Sequence, residues 1–119
     1  MADIVVKAAY GSVVEDDEDG FLFIGFAQGE DEDEPYVLFR QALTGGPIWF
    51  EAGDESLGAE DAVAQVTRTD KGLDISIRPE AVAHIGWAKV VSVRIGPDCE
   101  DADETVAALR EMLGQMFVG

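Results

Sequence analysis

Residues 63–86 read, without a break, as strand, tight turn, strand and short helix. Leu73, Ile75 and Ile77 alternate with Asp74, Ser76 and Arg78, the period of a strand with one dry face and one wet one. Ahead of them, Gln65, Thr67 and Thr69 alternate with Ala64 and Val66. Asp70, Lys71 and Gly72 supply a hairpin turn in which glycine takes the left-handed position. Pro79 stands where a first helical turn loses nothing by lacking an N–H, and Gly86 is placed to close the short helix. This stretch says much about fold and carries no chemistry of its own.

The rest of the chain extends the same pattern. Ile4, Val6, Ala8 and Tyr10 alternate with Lys7, predicting a first strand over 4–14 with Tyr10 on the apolar side. Residues 21–27 are apolar at almost every position, so both faces of that strand need cover, either centrally in a sheet or at a subunit contact. Residues 36–43 and the alternation of Ile48 and Phe50 with Trp49 and Glu51 predict two more strands. The Gly- and acid-rich residues 52–61 read as a loop. A strand over 89–95 ends at Gly96 and Pro97. Asp101 and Glu104 have capping-box spacing, and Val106, Leu109, Met112, Leu113, Met116 and Phe117 then mark one apolar helical stripe. The expectation is an α+β domain: an antiparallel sheet of about six or seven strands, a C-terminal amphipathic helix packed on one face and a short helix after the sixth strand.

A chain of 119 residues makes a single domain with a core of its own, and 47 % hydrophobic residues suffice to fill it. Charge is the unusual property. The 25 Asp and Glu against 8 Lys and Arg leave a formal net charge of -17. That field repels phosphate backbones and anionic lipid, so neither nucleic acid nor membrane is an expected partner, and it draws in basic proteins. Cys99, the one cysteine, excludes an internal disulfide and a thiolate zinc site. There is no basic, apolar leader and no apolar run of the ~20 residues that span a bilayer, so a cytoplasmic protein is expected.

Motifs with chemical content are few. Glu15, Asp17 and Asp19 before Gly20 imitate the opening of a calcium loop, but the closing position holds Phe26 and the flanks read as strands, so no metal is expected. Glu51, Asp54 and Glu55 beside Trp49 resemble an acid and base near a sugar-stacking ring, although spacing along a loop does not make a cleft. His84 is the only histidine and reads as a helix-end residue. The carboxylates around Cys99 disfavour a thiolate. No glycine-rich phosphate cradle occurs, and no cofactor is expected. The acids at 15–19 and 30–34 flank the same central strand, and with simple hairpins they lie at opposite ends of the sheet.

Several short motifs resemble a known family. They are Glu18, Asp19, Gly20 and Phe21; then Gly25, Phe26 and Ala27; then the run from Tyr36 through Leu38, Arg40 and Leu43. Ile75, Ser76, Ile77, Arg78, Pro79, Glu80 and Ala81 follow, with Ile85 and Gly86 and the helix from Val106 through Leu113 to Phe117. The order resembles the small bacterial immunity proteins of polymorphic toxin systems known as immunity protein ten, and departs from it at 52–61. The resemblance implies a cytoplasmic protein without catalytic activity that binds and neutralises a toxin made beside it.

The charge points the same way, because an acidic inhibitor complements a basic toxin such as a nuclease. The residues expected to meet that partner are Asp16, Asp17, Asp19, Asp31 and Glu32 for steering, with Trp49 and Glu51 as an anchor. Two rival readings stand beside this one. One is a small carboxylate-based or cation-dependent enzyme around residues 51–61. The other is a homodimeric structural protein, suggested by the doubly apolar strand at 21–27.

Overall fold

The computed structural model describes residues 3–31 and 33–119. Its elements are β1 (Ile4–Asp16), β2 (Phe21–Ala27), β3 (Tyr36–Ala42), β4 (Trp49–Ala52), β5 (Gly58–Glu60), β6 (Val63–Thr69), β7 (Gly72–Ile77), a 3₁₀ helix (Pro79–Ile85), β8 (Val90–Glu100), α1 (Ala102–Leu113), a 3₁₀ turn (Gly114–Met116) and β9 (Phe117–Val118). Among the described residues these strands form one nine-stranded sheet in the order β5-β4-β3-β2-β1-β8-β7-β6-β9. The meander β1–β5 and the meander β6–β8 are antiparallel, and parallel pairing of β1 with β8 joins them. β9 adds to β6, also in parallel.

The expected sheet was therefore right in kind and wrong in count and direction. It is mixed, because each meander leaves an open edge and the two edges, β1 and β8, meet running the same way. The missed strands are β5, three residues inside a Gly- and acid-rich stretch, and β9, two residues at the end of the helical stripe. With β5 counted, the short helix follows the seventh strand. At about 4.8 Å per strand, nine strands laid flat would span about 40 Å. The backbone envelope measures 33 × 32 × 30 Å, so the sheet curls around its apolar face.

That inner face holds one continuous core. Ile24, Phe26, Val37, Phe39, Phe50, Leu73, Ile75, Val91 and Val93 are buried on it, with the Phe39 and Phe50 rings 5.0 Å apart. α1 lies against β1 and β2 from the same side, burying Val106, Leu109 and Leu113. Gly11 permits this approach. A Cβ there would sit 2.4 Å from Oγ1 and 2.7 Å from Cβ of Thr105, which is fully buried and branched at Cβ, so it has no room to swing aside. Gly11→Ala is expected to destabilise by about 3 kcal/mol in urea denaturation, the overpacking cost of pushing α1 outward. Adding Thr105→Gly should recover part of that loss, although it alone costs about 1 kcal/mol in a helix. An unchanged midpoint for Gly11→Ala would mean that α1 does not seat on β1.

Four local expectations are corrected. β1 shifts register against β8 between Ala8 and Tyr10, so Gly11 takes the inner side and Tyr10 the outer. β8 runs through Gly96 and Pro97 to Glu100, because its ladder with β7 ends at Arg94 and Pro97 has no bond there to lose. The capping box does not form: Asp101 is left-handed (φ 56), whereas a capping side chain needs an extended backbone, and Asp101 makes no side-chain cap bond. The Thr105 hydroxyl instead donates to the Asp101 carbonyl at 2.7 Å. Finally, the apolar stripe outlasts its helix. α1 stops at Leu113, Gly114 turns the chain (φ 57), and Phe117 reaches the core from β9, with the Arg110 guanidinium 4.5 Å over its ring.

Candidate functional site

Because side chains alternate along a strand, the residues between the core positions of β2, β3 and β4 share the outer face of the sheet. Register sets them in rows. Phe23, Arg40, Trp49 and Glu60 lie side by side, as do Gly25, Leu38, Glu51 and Gly58. Phe21, Phe23, Leu38, Arg40 and Trp49 are half-buried, and α1 is on the other side of the sheet. Exposed Val14 (52 %), beside Phe23 on β1, extends the apolar area. The Arg40 guanidinium stands 5.4 Å from the Phe21 ring and 5.1 Å from the Trp49 ring.

Glu51 organises the neighbouring row. Its Oε1 accepts the Trp49 Nε1–H at 2.8 Å, and its Oε2 accepts the Tyr36 hydroxyl. Both oxygens are engaged, and Glu51 is only 6 % exposed although it stands on the outer side. The Trp49 ring lies across Gly58, where a Cβ would be 2.5 Å from Cζ2. A side chain at 58 would lift the ring and open the carboxylate to water.

A groove of about 710 Å³ runs on from Glu51 toward the β2–β3 and β4–β5 loops. Gly25 and Leu38 give it an apolar floor, and Tyr10, whose hydroxyl donates to the Gly29 carbonyl at 3.4 Å, borders it. Asp31, Glu34, Asp54 and Glu55 rim it. Burial first, then the bond to Glu51 and the charges of Glu51, Asp54 and Glu55, pushes the Tyr36 hydroxyl well above its ordinary value of 10.0. The folded state thus holds Tyr36 neutral. Its stabilising contribution is complete below pH 10.0 and is lost at higher pH, where the tyrosine of the unfolded chain ionises first. Denaturation midpoints are expected to fall more steeply above that pH for the native chain than for Tyr36→Phe; parallel profiles would remove Tyr36 as a cause.

The residues expected to meet a partner divide between the two ends of the sheet, as the hairpin argument required. Asp16 is half-buried and builds its own turn, with Oδ1 accepting the N–H groups of Glu18 (3.1 Å) and Asp19 (3.2 Å). Asp17 and Asp19 are exposed at that tip. Asp31 is exposed at the groove, which Glu51 also lines, and Glu51 in turn holds Trp49. Glu32 lies outside the described residues. Sequence reasoning passed over Tyr10, Tyr36, Leu38 and Arg40. The alternation of Tyr36, Leu38 and Arg40 with Val37 and Phe39 was a readable signal for a second face.

Elsewhere the chemistry is sparse. Among the described residues no three His, Cys, Asp or Glu side chains are placed to hold a metal ion. Asp54 accepts the Ser56 N–H at 3.0 Å as a turn former, and His84 is exposed at the end of its 3₁₀ helix. Burial, with Asp101 and Glu100 adding to it, raises the Cys99 thiol above its ordinary range. Among the described residues no helix is long and apolar enough to cross a membrane. No family model, curated protein or solved structure matches the chain.

Proposed function

We propose that this chain is a non-catalytic acidic binding protein that captures a basic protein on the outer face of β2, β3 and β4. The observation that carries the reading is that face, an uncovered strip of Phe21, Phe23, Leu38 and Trp49 running into an acid-rimmed groove. An aromatic centre with a polar rim is the anatomy of a protein interface, and a net charge of -17 speeds the approach of a basic partner. Glu51 serves this face by fixing the Trp49 ring, and Asp17 and Asp19 act at a distance through their charge. In its specific form the proposal is an immunity protein that neutralises a cognate basic bacterial toxin such as a nuclease in the cytoplasm. Support for that form comes from the sequence resemblance and the charge.

The test is a pull-down with the product of the neighbouring gene at rising salt. Binding that weakens with salt, and weakens again in Trp49→Ala and Phe23→Ala, is the expected result. No binding at low salt removes the specific form of the proposal. Binding indifferent to both aromatic substitutions removes the face.

A further inference from the structure

The outer face has one cation at its centre. Arg40 is half-buried, with its guanidinium carbon over two rings, which restricts its rotamers before anything binds. The chain has 25 carboxylates, yet among the described residues the one ion pair is Arg78 with Glu80, at 3.9 Å, and the Arg40 guanidinium donates no hydrogen bond. Its N–H edge is left for water or for a partner. A guanidinium seated over aromatic rings with its N–H groups unbonded is disposed for the bidentate grip that a carboxylate matches and an ammonium cannot supply.

From this we infer that the docked segment of the basic partner carries a carboxylate for Arg40 as well as Lys or Arg for the groove. The inference rests on the proposed protein-binding function. Geometry gives the spacing. Arg40 pairs with Trp49, and Leu38 with Glu51 at the head of the groove, so the cation and the groove are two residues apart along β3. An extended chain laid along β3 covers two residues in about 7 Å. An acidic side chain and a basic one at positions i and i+2 of such a segment point to the same side and therefore reach Arg40 and the groove together. The segment has mixed charge, and a purely basic tail leaves Arg40 repelling it.

The experiment is selection of random linear peptides, displayed on phage, against the native protein, Arg40→Gln and Arg40→Lys, each first checked for a native circular dichroism spectrum. Peptides enriched on the native chain should combine Asp or Glu with Lys or Arg two positions away. On Arg40→Gln the preference for the acid should drop roughly tenfold, the worth of a charge-assisted bond, while the preference for basic residues persists. Arg40→Lys, which keeps the charge without the fork, should show an intermediate preference. Enrichment of basic peptides with no acid, or an acid preference unchanged in Arg40→Gln, overturns the inference and leaves the proposed function standing. Failure to enrich basic peptides on any of the three chains overturns both.

Discussion

Gly72→Ala is expected to lower stability by at least about 4 kcal/mol, a large share of the roughly 5–15 kcal/mol that keeps a domain folded. Gly72 has φ +145, a region essentially closed to side-chain-bearing residues, and it is buried where β7 begins. A Cβ would lie 1.9 Å from the Val93 carbonyl oxygen and 2.9 Å from the Ile95 nitrogen. Both are backbone atoms of β8, which is held on one side by β7 and on the other by β1, so nothing can move without parting the sheet at its centre. Gly20→Ala is the matched control. Its φ is also positive (+75), but the space around it is open, and only the local strain of about 1 kcal/mol applies. Urea denaturation followed by circular dichroism separates the two. If both substitutions cost the same, the close approach of β8 is not what requires glycine at 72.

Glu51→Ala should cost about 2 kcal/mol and loosen the proposed binding face at the same time. The substitution leaves the part-buried Trp49 Nε1–H and Tyr36 hydroxyl without their acceptor, and losing a partner is more expensive than the bond is worth. Glu51→Gln keeps one good acceptor and should cost about half as much. A Trp87→Phe background isolates the fluorescence of Trp49, since Trp87 is 74 % exposed and reports only solvent. The Trp49 emission should then shift to the red in Glu51→Ala, and Arg40, stacked at 5.1 Å, should lose order with it. Unchanged stability and emission would mean that the ring is held by packing on Gly58 alone.

From sequence alone, Glu51 reads as an anchor that meets the partner. Its burial makes it a positioning residue, and the proposed contact surface is the set of rings and the guanidinium around it.

How much of this was legible beforehand depends on the range of the interactions involved. Residues 63–86 were readable nearly to the residue, because a period of two, a glycine turn, a proline start and a glycine stop all act between near neighbours: β6, β7 and the Pro79–Ile85 helix stand where the pattern put them. Even there the sequence called for glycine at 72 as a turn residue, whereas the nearness of β8 is what makes the position intolerant. The chemistry of β5 and β9 was not readable, since strands of three and two residues show no period and exist only because a neighbour offers them an edge. The chain alone determined the charge, the apolar alternation and the separation of the acidic loops to opposite ends of the sheet. Only the tertiary structure decided that Tyr10 turns outward at a register shift, that Glu51 is closed in by two rings, and that Arg40 has no ion-pair partner among the described residues. Each of those depends on which strand lies beside which, and strand pairing joins residues too far apart in the chain for local pattern to foretell.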